Sequence, residues 1–111
     1  MSIDDPTVID FVTLDRDGAV VLVMVEGRPW GGSEPRLEEL KDKVRAYETF
    51  VRSGEIYEKY PTLTGKPVVF ELRSVNRPDP ATQRFIDDVR SRLEAFSIGF
   101  SVKQIGTRPS E

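Results

Sequence analysis

Residues 19–25 read Ala-Val-Val-Leu-Val-Met-Val and form the longest uninterrupted apolar run in the chain. A second apolar segment at residues 8–14 precedes this run, and the polar tetrapeptide Asp15-Arg16-Asp17-Gly18 separates the two. Gly18 tolerates a positive φ angle, and a polar turn between apolar segments is typical of a β-hairpin. We therefore predict antiparallel strands at about residues 8–14 and 19–26, followed by a glycine-rich loop at about residues 27–32.

The spacing of apolar residues predicts two helices farther along the chain. Ser33 is placed to cap the first helix, whose apolar residues recur at spacings of three and four: Leu37, Leu40, Val44, Tyr47 and Val51. We expect Gly54 to end or bend this helix, and Pro61 to stop a short continuation of it. Asp79 as the N-cap and Pro80 in the first turn begin the second helix, with the inner residues Phe85, Ile86, Val89, Leu93 and Phe96.

Two further strands complete the predicted fold. Residues 68–75 are rich in β-branched and aromatic side chains, and Ile98, Phe100 and Val102 alternate with smaller or polar residues. The order ββαβαβ predicts an α+β fold of two layers, with a mixed four-stranded sheet in the spatial order 1-2-3-4 and both main helices on one face. The length fits a single domain over residues 1–111, with an ordered core of about residues 6–105.

Charged residues recur at helical spacing on the predicted outer faces of both helices. Glu39 and Lys43 in the first helix are four residues apart, as are Asp88 and Arg92 in the second. Opposite charges at this spacing stabilise a helix face that contacts solvent. We therefore interpret these four residues as part of the solvated surface.

The composition restricts the function more than any motif does. The 111 residues include no histidine and no cysteine, and the formal net charge is −3. Because these two side chains supply most proton shuttles near neutral pH and most zinc ligands, any catalysis must rest on Asp, Glu, Lys, Arg, Tyr, Ser or Thr. We expect no metal and no cofactor, and we assign no catalytic residue. The acidic balance argues against a nucleic-acid partner, and no apolar run approaches the ~20 residues of a membrane span. A cytoplasmic location follows by default.

The predicted hairpin is apolar on both of its faces, although helices are predicted on only one face of the sheet. If Leu14 pairs with Ala19 across the turn, six apolar residues share the other face: Val8, Val12, Leu14, Val21, Val23 and Val25. We interpret these residues as an interface for a second copy of the chain or for another protein. The alternative is that the N-terminal segment or the connection at residues 57–67 folds over them.

A second candidate site lies where the second and third strands end and both main helices begin. Open α/β sheets bind ligands at the carboxyl ends of their parallel strands. Six residues converge at this end: Arg28, Trp30, Ser33, Asn76, Arg77 and Asp79. The two arginines near two helix N-termini predict an anionic small-molecule ligand. The alternative is structural, with Ser33 and Asp79 capping the helices and Trp30 covering the core.

Several segments of the chain together resemble one protein family. These segments are Ser2-Ile3-Asp4-Asp5-Pro6, Val8-Ile9-Asp10, Trp30, Ala46-Tyr47, residues 53–61 and Gly65-Lys66-Pro67-Val68. On these residues, the chain from residue 2 to residue 102 resembles a family of small bacterial proteins known only as domain of unknown function 6572. The resemblance implies a bacterial, single-domain, cytosolic protein, and it implies neither an activity nor any catalytic residue.

The apolar hairpin and the lack of catalytic side chains favour a non-catalytic protein-interaction or homodimerisation module. The alternative is a small-molecule binding protein or enzyme that uses the loop around Arg28, Trp30, Arg77 and Asp79. Charged substitutions at Val21 separate an interface from a core, because they change the mass in solution in the first case and unfold the protein in the second.

Overall fold

The computed structural model describes residues 11–27, 30 and 34–105. Its strands are β1 (Phe11–Leu14), β2 (Val20–Glu26), β3 (Val68–Ser74) and β4 (Ile98–Gln104). Its helices are α1 (Glu34–Arg52), α2 (Glu55–Lys59) and α3 (Pro80–Glu94), and a single 3-10 turn spans Pro61–Leu63. The predicted order ββαβαβ is confirmed, with α2 as the predicted short continuation of the first helix. The predicted start of the first strand and the Ser33 cap lie outside the described residues.

The four strands form one mixed sheet in the order β1-β2-β3-β4. β1 runs antiparallel to β2, whereas β2, β3 and β4 run parallel to one another, as predicted. Alternate residues of the sheet and the inner residues of both main helices form a single core, which includes Val20, Leu22, Met24, Phe70, Leu72, Leu40, Val44, Tyr47, Ile86, Val89 and Leu93. The α+β fold with its main helices on one face is therefore confirmed.

The pairing of β1 with β2 differs by one residue from the predicted register. Leu14 lies opposite Val20, and not opposite Ala19. Asp15 closes the turn instead: its N–H donates to the Ala19 carbonyl oxygen at 3.0 Å, and its Oδ1 accepts from the Ala19 N–H at 2.9 Å. Since side chains alternate between faces, this shift moves Val12 and Leu14 to the face that carries Val20 and the helices.

The ends of the helices follow the sequence closely. Asp79 Oδ1 accepts a hydrogen bond from the backbone N–H of Thr82 at 3.0 Å, and Pro80 is the first residue of α3, as predicted. Gly54 has a φ of 86° and separates α1 from α2, so the predicted end of the first helix is also confirmed. None of the helices in the described ranges is both long and apolar enough to cross a bilayer.

Two side chains differ in burial from the prediction: one that was predicted to be exposed is buried, and one that was predicted to be buried is exposed. Lys43 was predicted on the solvated surface but is fully buried, with its Nζ 5.6 Å from the centroid of the Tyr47 ring. Phe96 was predicted as an inner residue of α3 but is 41% exposed. α3 ends at Glu94, and Ser97 then adopts a φ of 59°, so Phe96 lies in the turn that leads to β4.

Candidate functional site

Trp30, one residue of the predicted ligand site at the carboxyl ends of the strands, is held by hydrogen bonds within the chain. Trp30 is 3% exposed, and its indole Nε1 donates to Ser74 Oγ at 2.9 Å and to the Asn76 carbonyl oxygen at 3.2 Å. Ser74 Oγ also donates to the Asn76 carbonyl oxygen. Trp30 therefore joins the loop after β2 to the end of β3, which is the structural role given above as the alternative to ligand binding.

The other residues of this predicted site are only partly brought together. Asn76 lies next to Trp30, and Arg77 is exposed. Arg28 and Ser33 lie outside the described residues. Hydrogen bonds from the side chain and the backbone N–H of Thr82 lower the pKa of Asp79, because they stabilise its carboxylate as the N-cap of α3. As a ligand site, the six residues stay a prediction.

The residues of the predicted apolar interface divide between the two faces of the sheet. Val21 and Val23 lie on the face opposite to the helices, where they are 6% and 0% exposed within the single chain. Val25 is partly buried on the same face, whereas the corrected register places Val12 and Leu14 on the helix face. Val8 lies outside the described residues. The grouping on one face is therefore wrong for Val12 and Leu14, and an interface role stays a prediction.

A different surface brings charged side chains together, in a groove between α1 and α3. One part of it encloses about 490 Å³ and is lined by Arg45, Glu48, Thr49, Arg52, Ser53 and Arg92. The adjoining part encloses about 240 Å³, shares Arg45, Glu48 and Arg92 with the first, and adds Lys41, Val44 and Phe85. We call these nine residues the arginine groove.

The arginine groove is built around the carboxylate of Glu48, whose side chain is only 9% exposed. Glu48 Oε1 accepts from Arg92 Nη1 of α3 at 2.6 Å, and Oε2 accepts from Arg52 Nη1 of α1 at 3.2 Å. The side chains of both arginines are 51% exposed. One nearly buried carboxylate thus holds two guanidinium groups from different helices beside each other at the surface.

The remaining cations of the groove lie on either side of this centre. Arg45 Nη1 donates to Asp42 Oδ1 at 2.9 Å, and Lys41 Nζ lies 5.8 Å from the centroid of the Phe85 ring. Lysine and arginine contribute four of the nine groove residues, and the only carboxylate among the nine is Glu48. The lining therefore holds more cations than carboxylates, although the whole chain carries a formal charge of −3 and Lys41 and Arg45 are paired with Glu38 and Asp42 at the edge of the groove.

The sequence analysis missed this site because it paired Arg92 with Asp88 on the same helix. In the structure Arg92 instead bonds Glu48, which lies 44 residues earlier in the chain. One signal was present: Lys41, Arg45 and Arg52 follow one another at spacings of four and seven, which places three cations on one face of α1. Nothing in that spacing shows that α3 lies beside this face.

Arranged in this way, the groove presents guanidinium groups that can bind carboxylates. Each guanidinium has five N–H donors in a fixed plane, which suits recognition of carboxylate groups. Ser53 Oγ accepts from the Glu55 N–H at 3.3 Å, and Glu48 is occupied by two arginines, so neither forms a nucleophile–base pair. Across the described ranges, no three His, Cys, Asp or Glu residues are grouped to hold a metal ion.

Comparison with known proteins identifies the chain at the level of its family. No curated protein and no solved structure gives a match. The model of a family of unknown function, DUF6572, matches residues 1–106 of the 111 residues and so confirms the resemblance noted in the sequence. The chain belongs to this family of unknown function.

Proposed function

We propose that this protein is a non-catalytic interaction module that binds an acidic segment of a partner protein in the arginine groove. The observation that carries the proposal is the convergence of Arg45, Arg52 and Arg92 from two helices on one open groove. Guanidinium groups that are half exposed and already oriented bind carboxylates with little further loss of side-chain entropy. A partner rich in Asp and Glu has the charge that complements this surface.

The shape of the groove supports a protein segment as its occupant. The groove follows α1 from Lys41 to Arg52, a rise of about 17 Å along the helix axis. Sites for small molecules are typically enclosed clefts that bury most of the ligand, whereas this groove lies open between two helices. The partly buried Phe85 adds apolar surface at one end, which suits a chain that carries both carboxylates and apolar atoms.

The proposal keeps the interaction function predicted from the sequence and moves it to another surface. The predicted interface depended on exposed valines, but Val21 and Val23 are buried within the single chain. The predicted anion site includes Trp30, but its indole N–H already donates within the chain to Ser74 and to the Asn76 carbonyl oxygen. The arginine groove has the charge for an acidic partner. Binding there requires neither exposed valines nor free polar groups around Trp30.

Calorimetric titration of the full chain with hexaglutamate tests the proposal, with hexalysine as the control peptide. We expect hexaglutamate to bind with an affinity that falls as the salt concentration rises, and hexalysine not to bind. Arg92→Ala should weaken binding about tenfold, because it removes a charged hydrogen-bond donor from the centre of the groove. The matched control is Arg84→Ala, which removes an exposed arginine of α3 that does not line the groove.

Two results would overturn the proposal. One is the absence of hexaglutamate binding at low salt, and the other is an equal loss of affinity in Arg92→Ala and Arg84→Ala. Homodimerisation makes a different prediction, since the occupant of the groove is then a second copy of the chain. Sedimentation equilibrium would in that case give twice the monomer mass for the wild-type protein, and Arg92→Glu would restore the monomer mass. These two results together would identify a second copy of the chain as the occupant of the groove and exclude a different protein.

A further inference from the structure

Phe96 is a large apolar side chain at the surface, next to the arginine groove. It is 41% exposed, and the Cζ atom of Arg52, a groove residue, lies 3.9 Å from the centroid of its ring. Single exposed apolar residues are common on protein surfaces and need no special explanation. Phe96 differs because a guanidinium that lines a candidate binding site stacks on its ring.

The backbone holds Phe96 in this position. The Phe96 N–H donates to the Leu93 carbonyl oxygen at 2.9 Å, and the Ser97 N–H donates to the Glu94 carbonyl oxygen at 3.0 Å. Ser97 then turns the chain with a φ of 59° into β4, whose residue Ile98 pairs with β3. Bonds on both sides fix this turn and therefore the backbone position from which the ring projects, which limits the ordering required when a partner binds.

Arg52 is held from two directions. Its Nη1 donates to Glu48 Oε2 at 3.2 Å, while its Cζ lies over the ring of Phe96. A guanidinium stacks well on aromatic rings, and half of the Arg52 side chain remains exposed. Phe96 and Arg52 together form a flat, partly apolar surface at one end of the groove, which we call the Phe96–Arg52 stack.

We propose that the partner segment carries an aromatic side chain beside its acidic residues, and that this side chain packs on the Phe96–Arg52 stack. The inference rests on the proposed function of the arginine groove and adds the chemical class of the partner. Carboxylates in the groove supply charge complementarity, which accelerates association but discriminates weakly between acidic sequences. An aromatic side chain on a rigid aromatic surface supplies the selectivity, as aromatic anchors do in other protein interfaces.

Two peptides test the inference in calorimetric titrations of the full chain. One is hexaglutamate extended by a single tryptophan, and the other is hexaglutamate extended by a single alanine. Wild-type protein should bind the tryptophan peptide about two- to tenfold more tightly, which is the range for one aromatic pair. Phe96→Ala should bind both peptides equally.

Leu14 offers a matched control, because it is another exposed large apolar residue and lies at the end of β1, outside the groove lining. Leu14→Ala should keep the full advantage of the tryptophan peptide. Phe96→Leu gives a second variant that keeps an apolar side chain at the turn and removes the ring. It should lose most of the advantage, and far-UV circular dichroism should report an unchanged helical content in all three variants.

The possible failures separate the two proposals. If wild-type protein binds neither peptide, the proposed function fails, and the aromatic partner fails with it. If wild-type protein binds both peptides with the same affinity, the groove remains a site for acidic segments and the aromatic partner is wrong. An advantage of the tryptophan peptide that survives in Phe96→Ala would also overturn the role of the Phe96–Arg52 stack.

Discussion

At the carboxyl end of the sheet, the indole of Trp30 donates to Ser74 and to Asn76, and Asp79 accepts from Thr82. In the arginine groove, by contrast, the side chains of Arg52 and Arg92 are bonded to Glu48 and still half exposed. Both regions collect polar groups on neighbouring elements, and they differ in what those groups bond. At the sheet end Trp30 and Asp79 bond other groups of the chain, so they fix a loop and the start of a helix.

The difference teaches that convergence of polar residues does not by itself make a binding site. A buried polar group must find a partner within the protein, because leaving it unbonded costs free energy. Trp30 is in this position, at 3% exposure. A guanidinium at the surface, by contrast, keeps N–H donors that can bond an incoming carboxylate. Arg52 and Arg92 are guanidinium groups of this kind. Substitutions in the sheet should therefore change stability, and substitutions in the groove should change binding.

The largest effect is expected at Val23, in the sheet. Val23→Asp places a charge at a fully buried position, and we expect it to lower the free energy of unfolding by about 5 kcal/mol. Val25→Asp is the matched control on the same face, at a partly buried position where the cost should be smaller. Urea unfolding measures both. A folded Val23→Asp protein with a changed mass in sedimentation would instead identify Val23 as an interface residue and break the comparison.

A smaller effect is expected at Trp30. Trp30→Ala removes a large buried side chain and should lower the free energy of unfolding by about 3–4 kcal/mol. Trp30→Phe keeps a ring but removes the Nε1 donor to Ser74, and should cost about 1–2 kcal/mol. Urea unfolding gives both values, and titration with hexaglutamate should give an unchanged affinity for the folded variants. A selective loss of affinity would mean that the sheet end takes part in binding.

The smallest effect is expected at Asp79, and it should depend on pH. Asp79→Ala removes the N-cap of α3 and should cost about 1 kcal/mol at neutral pH. The folded-state pKa of Asp79 is lowered by its bonds from Thr82, so its stabilisation is present above the ordinary pKa of about 3.9 and is lost as the pH falls through the lowered value. The stability difference between wild type and Asp79→Ala should shrink accordingly.

Asp79→Asn provides the control for this pH dependence. Asparagine also caps helices through its side-chain oxygen but has no carboxyl group to titrate. The stability difference between Asp79→Asn and Asp79→Ala should therefore stay constant as the pH is lowered. A wild-type advantage over Asp79→Ala that grows on acidification would contradict the lowered pKa.

Most of the fold could be predicted because its determinants lie close together in the chain. The cap at Asp79 needs only Thr82 three residues later, and the end of α1 needs only the positive φ of Gly54. The predicted register of the hairpin was wrong by one residue, because Asp15 bonds Ala19 with both its backbone and its side chain. Apolar patterning cannot distinguish these registers in a strand that is apolar on both faces.

The candidate site could not be predicted in the same way. Glu48 and Arg92 are 44 residues apart, and each has an oppositely charged residue nearby on its own helix that explains it equally well in sequence terms. Phe96 fits the helical spacing of the inner residues, but α3 ends before reaching it. The partner of Arg92 depends on how the two helices lie against each other, and the exposure of Phe96 depends on where α3 ends.

The sequence by itself determined the elements, their order, the one-sided helical layer and the absence of histidine and cysteine chemistry, since apolar periodicity and capping act over a few residues. The tertiary structure decided which polar groups face one another across elements. It placed Trp30 against Ser74 and Arg92 against Glu48. The reason is physical: contacts between distant residues are set by the packing of whole helices and strands on the core, and local spacing does not specify that packing.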